Sequence, residues 1–266
     1  MILPIRTVEK VWGMERLPAP FETPEGKRIG EIWFEPPEEL PELLVKYLFT
    51  SEKLSVQCHP DNDQAEAAGL GRKGKEECWL VIAAEPGATL GIGFHEEISP
   101  DEMRAAALDG SIEDKLVWHE VQAGDFFYIP ANTVHAIGPG CSIIEIQQNS
   151  DITYRLYDYG RPRELHLEEG MAVADGSPYP AELHQRLPPS GHATLVEGPF
   201  FRLDLVDGDA ADGLDYAYFE AALVIPLAGE VLVEGELVHP GECALAHGLA
   251  DVTFAPHGKA LVTAPV

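Results

Sequence analysis

The apolar residues of this chain come in short runs, each cut off by glycine or proline. "IGEIWF", "KLSVQCH", "ECWLVIAA", "TLGIGF", "DFFYIP", "SIIEIQQ", "YAYFEAALVIP" and "GEVLVEGEL" are rich in Val, Ile, Phe and Tyr and too short for helices. Many short strands with regular turn signals build a sandwich or jelly roll, so the fold class is mainly β with a few short helices. Three stretches read as helix. "DNDQAEAAGLG" is a short capped helix, and "SPDEMRAAALDGSIEDKLV" opens on Ser with an acidic first turn. "PPEELPELLVKYLF" carries apolar residues at helical spacing.

Residues 175–192, "DGSPYPAELHQRLPPSGH", are rich in Pro, Gly and Ser and read as a linker. They divide the chain into a longer β unit, residues 1–175, and a shorter one, residues 190–266. With 266 residues there is enough chain for two cores. No apolar run is long enough to span a bilayer, and the start lacks a signal-peptide pattern. The four cysteines are scattered without a CxxC pair, which fits a reducing cytoplasm and argues against a thiolate zinc site. A formal net charge of −27 excludes nucleic-acid binding through the overall field. An anionic ligand must therefore meet a local cluster of Lys and Arg.

Polar side chains stand where strands of the first unit would carry apolar ones. In "LSVQCHPDNDQA" the alternation puts Ser55, Gln57 and His59 on one side of a strand. "GKEECWLVI" offers Lys75 and Glu77 on one face at a strand start. "GDFFYIPANTVHAIGPG" delivers His135 after a proline turn. Two imidazoles, a carboxylate and an amide oxygen suit a borderline divalent metal such as zinc, and a set without thiolates is of the catalytic kind.

"GDFFYIPANTVH" resembles the second motif of the cupin superfamily, with Asn132 where Gly is usual; Asn tolerates the positive φ that such a turn needs. The first cupin motif is degenerate, with Gln57, Cys58 and His59 in place of His-x-His. "LSVQCHPD", "GKEECWLV", "YIPANTVHAIG" and "EIQQNSDITYRLYDYGR", with the opening "EKVWGMERL" and "IGEIWF", narrow the resemblance to type I mannose-6-phosphate isomerase, short bacterial form. It covers roughly residues 4–170. It implies two cupin-type jelly-roll domains, the second degenerate and without metal, and one zinc ion per chain held by Gln57, His59, Glu77 and His135. It implies substrate contacts from Trp12, Glu31, Lys46, Ser55 and Arg161, and catalytic roles for Lys75, Glu145, Asp151 and Arg155. Met14 departs from the family's usual Gly, and the region between "GIGF" and "VQAGDF" is compact.

The implied reaction interconverts mannose 6-phosphate and fructose 6-phosphate through an enediol, with no protein partner required. Its base is open among Glu145, Asp151, Lys75 and a metal-held water. Another metal-dependent cupin enzyme, or a non-enzymatic sugar-phosphate-binding cupin, would share the motifs.

Overall fold

The computed structural model describes residues 1–208, 218 and 220–266. The strand expected in "YAYFEAALVIP" falls partly on residues 216, 217 and 219, outside the described residues. Twelve strands make the first half: β1 (Ile5–Met14), β2 (Ile29–Phe34), β3 (Leu43–Phe49), β4 (Val56–Cys58), β5 (Glu77–Ala84), β6 (Thr89–Phe94), β7 (Leu116–Glu120), β8 (Asp125–Ile129), β9 (His135–Ile137), β10 (Cys141–Gln148), β11 (Tyr154–Tyr157) and β12 (His184–Arg186). They form a seven-stranded sheet in the order β1-β2-β3-β10-β5-β8-β12 and a five-stranded sheet in the order β11-β4-β9-β6-β7. The pairings within both sheets are antiparallel. The chain is mainly β, as the short apolar runs require.

Helices α1 (Asn62–Ala67), α2 (Pro100–Asp109), α3 (Ile112–Lys115) and α4 (Leu167–Val173) are short. Both helical stretches with capping signals form as read. Asp61 and Gln64 close a capping box on α1, and Ser99 and Glu102 close one on α2. Met103, Ala106 and Ile112 pack with Val56, Cys58 and Leu156 of the five-stranded sheet.

"PPEELPELLVKYLF" is not a helix. Its second half is β3, buried along its whole length between β2 and β10. Its side chains follow period two. Leu43, Val45, Tyr47 and Phe49 enter one core cluster, while Leu48 enters another. A strand buried on both faces is apolar nearly throughout, and helical spacing is then satisfied by coincidence. The stretch 175–192 is also more than a connection, since β12 within it pairs with β8 at the sheet edge.

The second half comprises β13 (Ala193–Glu197), β14 (Phe201–Asp207), β15 (Ala222–Ala228), β16 (Val231–Val233), β17 (Glu236–Val238), β18 (Ala244–Ala246), β19 (Val252–Phe254) and β20 (Lys259–Pro265). A five-stranded sheet, β13-β14-β20-β15-β18, faces a three-stranded one, β17-β16-β19, across a core of Val206, Val224, Val231, Val233 and Val262.

The seven-stranded sheet has two buried faces with different chemistry. On β10, Ile144 and Ile146 join a core that includes Leu203, Leu205, Leu223, Ile225 and Leu261 of the second half. The alternate residues Ile143, Glu145 and Gln147 face the five-stranded sheet. Toward one end this inner face is apolar, with Ile143, Val81 and Leu48 in one cluster. Toward the other it is polar, with Glu145, Gln147, Glu77 and Lys46 all buried. A polar end inside a sandwich is the place where a ligand site can sit.

Candidate metal centre and active site

Strand register assembles the site. Gln57 on β4 lies opposite His135 on β9, and Arg155 on β11 lies opposite Gln57. On the facing sheet Glu145 lies between Lys46 and Trp79, and Glu77 lies opposite Gln147. Cross-strand neighbours share a face, so residues far apart in sequence meet around one cavity.

The backbone that carries His59 is held in place locally. Asn132 adopts φ 73°, the left-handed conformation expected of it. Its backbone N–H and its side-chain amide both donate to the His59 carbonyl, at 2.8 and 3.1 Å. The same amide donates to Gln64 of the α1 capping box at 2.7 Å. Gly74 brings Lys75 close: a Cβ there would meet the Asp61 carbonyl carbon at 2.3 Å. The Lys75 N–H then donates to the Pro60 carbonyl at 2.9 Å.

His59, Glu77 and His135 are buried, and one ligand atom of each lies within 4.8 Å of the others. It is the one such cluster among the described residues. His59 Nε2 is 3.7 Å from Glu77 Oε1, and His135 Nε2 is 3.5 Å from the same oxygen. Nδ1 of His59 contacts the Ile152 carbonyl at 2.8 Å, and Nδ1 of His135 contacts the Thr133 carbonyl at 2.9 Å. A carbonyl only accepts, so each Nδ1 carries the proton and each Nε2 lone pair faces Glu77. That arrangement, oriented imidazoles converging on a carboxylate, fits a divalent cation. Gln57 Nε2 is 3.4 Å from His135 Nε2, while its Oε1 accepts from Ser55 at 3.0 Å.

Electrostatics favour the same protonation states. Burial, reinforced by the Lys75 ammonium, lowers His59 to about 4. Burial also lowers His135. Both rings are neutral at pH 7 with their lone pairs available. Burial pushes the Glu77 carboxyl up, but the Lys75 ammonium outweighs it and holds the group well below the usual carboxylate range. Burial pulls Lys75 down, yet Glu77 and Glu145 raise it on balance, so it stays charged. Its ammonium donates to Glu77 and lies 3.1 Å from His59 Nε2.

Above this cluster opens a cavity of about 310 Å³. Trp12, Glu31, Lys46, Ser55, Gln57 and Lys75 line it, and so do Glu77, Glu145, Asp151 and Arg155. Lys46 donates to Glu145 at 3.1 Å, and Trp79 donates to the other oxygen of Glu145 at 3.2 Å. Glu31 accepts from Trp33 at 2.6 Å and pairs with Lys10 at 3.1 Å. Burial raises the Glu31 carboxyl, but Lys46 and Lys10 outweigh that and lower it. Arg155 donates to the Glu164 carbonyl at 2.7 Å and has a buried Nε without a partner among the described residues.

Arg161 lies apart. It donates to Asp158 and to the Lys53 carbonyl, and it lines a separate shallow cleft with Glu52 and Tyr159. Lys10, Trp33, Thr153 and Arg163 line the main cavity and were not singled out from the sequence. The period-two rule reaches three of them. Lys10 is two residues from Trp12, Trp33 two from Glu31, and Thr153 two from both Asp151 and Arg155. Met14 has no left-handed φ and packs against the core between the halves. The glycine that matters beside it is Gly13 of β1, where a Cβ would meet the Gly30 nitrogen at 2.5 Å.

No protein-family model matches the chain. Mannose-6-phosphate isomerase ManA of Bacillus subtilis is 32% identical over 237 residues, covering 83% of this chain and 74% of the relative. The chain belongs to the mannose-6-phosphate isomerase family. A mannose-6-phosphate isomerase of Streptococcus mutans is 44% identical over 169 residues, and the probable isomerase GmuF of B. subtilis is 39% identical over 161. Those matches span about half the length of each relative, 52% and 51%. Among solved structures, the mannose 6-phosphate isomerase of B. subtilis superposes with a TM-score of 0.79 at 24% identity, over 98% of both chains. The likeness shows that this member of the isomerase family shares the fold of both halves.

Proposed function

We propose that this chain is a metal-dependent isomerase that interconverts mannose 6-phosphate and fructose 6-phosphate. The observation that carries the reading is the convergence of His59 Nε2, His135 Nε2 and Glu77 Oε1 below a cavity lined by Lys46, Lys75 and Arg155. Family membership supplies the substrate. Gln57, His59, Glu77 and His135 would hold one zinc ion, with the Gln57 amide turned so that its oxygen is the donor. A bound zinc ion supplies Lewis-acid stabilisation of the charge that develops on the sugar oxygens. A zinc-bound mannose 6-phosphate isomerase among the structural neighbours agrees with that choice.

The reaction moves a proton between C1 and C2 of the open-chain sugar. A base removes it from one carbon and returns it to the other, on one face of an enediol. Lys75 remains charged beside Glu77, so it is placed to donate to a substrate oxygen and not to remove the carbon-bound proton. Among the side chains named for the base role from the sequence, Glu145 and Asp151 remain, and both line the cavity. Arg155 has a buried donor free to hold negative charge as it builds on the enediol oxygens. Trp12, Glu31, Lys46 and Ser55 shape the cavity around the sugar. Arg161 is too committed to Asp158 and Lys53 to contact the substrate directly.

In the same reading residues 1–175 are the catalytic unit. Residues 190–266 hold no metal and serve to bury the apolar face of the first sheet, where both halves share one core. His239 pairs with Glu230, and His247 with Glu234, both exposed. The four free, buried cysteines fit a cytoplasmic enzyme. No helix among the described residues is long and apolar enough to cross a membrane.

The test is a coupled assay of fructose 6-phosphate formation from mannose 6-phosphate. Turnover that stops with chelator and returns with zinc is the expected result. A zinc-loaded protein that leaves mannose 6-phosphate unchanged refutes the reading.

A further inference from the structure

The cavity must accept a phosphate dianion on a chain of net charge −27, and its cations are not equally free to do so. Lys10, Lys46 and Lys75 each face a carboxylate of their own: Glu31 at 3.1 Å, Glu145 at 3.1 Å, and Glu77. Their charges are already neutralised. The opposite balance holds at the other wall. Arg161 and Arg163 both donate to a single buried carboxylate, Asp158, which is 2% exposed, while the Arg155 side chain bonds the Glu164 carbonyl instead. Two guanidinium groups share that one buried carboxylate, and Arg155 has no carboxylate bonded to its side chain, so positive charge on this side is not matched one to one. The carboxylates of Asp151 and Glu164 nearby are exposed and bonded to none of the three side chains. Glu52 pairs with Arg28 at 2.8 Å and, of these three arginines, reaches only Arg161, at 4.0 Å on the side of the separate cleft.

Of these arginines, Arg161 turns away into that cleft, whereas Arg163 lines the main cavity. Asp158 grips Arg163 with two parallel bonds, Nε to Oδ2 and Nη2 to Oδ1, each 2.6 Å. The fork is fixed in its plane, and its Nη1 makes no hydrogen bond among the described residues. A guanidinium held on one edge by a carboxylate offers its remaining donors at little entropic cost. Such donors match phosphate oxygens. Resting on the isomerase reading, we propose that Arg163, oriented by Asp158, binds the phosphate of the substrate, and that Arg161 is a positioning residue that secures Asp158.

This places the phosphate on a residue two positions beyond Arg161, the arginine that the resemblance names for substrate contact. It also separates binding from chemistry along the segment: Arg155 beside Gln57 for the reacting end, Arg163 for the phosphate.

The experiment compares wild type, Arg163→Ala, Arg163→Lys and Arg161→Ala, all zinc-loaded. Steady-state kinetics on mannose 6-phosphate are paired with calorimetric titration of inorganic phosphate. Losing a charge-assisted contact typically weakens binding about 10- to 100-fold. Arg163→Ala should raise KM and the phosphate Kd by that factor, with kcat within about threefold and zinc content unchanged. Arg163→Lys keeps a cation for Asp158 and should show a smaller loss, which guards against a folding artefact. Arg161→Ala should shift KM less than Arg163→Ala. Equal KM and equal phosphate affinity in wild type and Arg163→Ala overturn the proposal, as does a larger loss in Arg161→Ala. If wild type turns over no mannose 6-phosphate, the isomerase reading fails separately. The titration then decides the phosphate site by itself, and no binding in wild type rejects it.

Discussion

Acid should unfold the metal-stripped protein through its buried histidines, and His59 sets the size of the effect. Burial and Lys75 lower its pKa from the ordinary 6.5 to about 4. A group depressed in the folded state contributes stability that is complete above its unfolded pKa and is lost as pH falls toward the folded one. The window is therefore pH 6.5 down to about 4. Each tenfold change in proton affinity is worth ~1.4 kcal/mol, so His59 contributes about 3 kcal/mol that disappears across this range. His135, lowered by burial, acts in the same direction. The assay is urea unfolding in chelator at several pH values between 7 and 4, for wild type and His59→Gln. Titration of the many surface carboxylates is common to both and cancels in the difference. The variant should lose about 3 kcal/mol less than wild type between pH 7 and 4. Parallel curves, agreeing within about 0.5 kcal/mol across the range, would show that His59 is not held neutral by its surroundings, and the reasoning about the cluster would fall with it.

Two further outcomes are expected. Arg155→Lys should lower kcat by ~10²–10³-fold with a smaller change in KM and unchanged zinc content, because a fixed donor is lost where charge develops; a kcat within a few-fold of wild type in steady-state kinetics removes Arg155 from the chemistry. Leu203→Ala, in the core shared by the two halves, should cost about 2–5 kcal/mol in urea unfolding while metal content at 25 °C stays at the wild-type level; a cost below about 1 kcal/mol would mean that the second half does not brace the first sheet.

The residues that line the candidate site were more legible in the sequence than the packing around them. Polar residues at period two leading into apolar strands, Ser55 with Gln57 of β4 and Lys75 with Glu77 of β5, are costly unless a cavity receives them, so they announce themselves. Asn132 was readable because few residues accept its φ. β3 was misread for the opposite reason. A strand covered on both faces carries no alternation, and only the register with β2 and β10 shows that Lys46 and Tyr47 point opposite ways. The arginines illustrate a further limit. Arg161 and Arg163 share the same chemistry and sit two positions apart, and only the turn around Asp158 decides which one faces the cavity. The edge strand β12 (His184–Arg186), inside residues 175–192, was hidden because it is exposed and polar.

The most direct measurement of the central claim is the metal content of the purified protein and of His135→Ala by elemental analysis. The account predicts close to one equivalent of zinc per wild-type chain, and its loss or severe weakening in the variant, since His135 is one of the four proposed ligands and its Nε2 lies within 4.8 Å of the ligand atoms of His59 and Glu77. Near-full zinc retention in His135→Ala would contradict it.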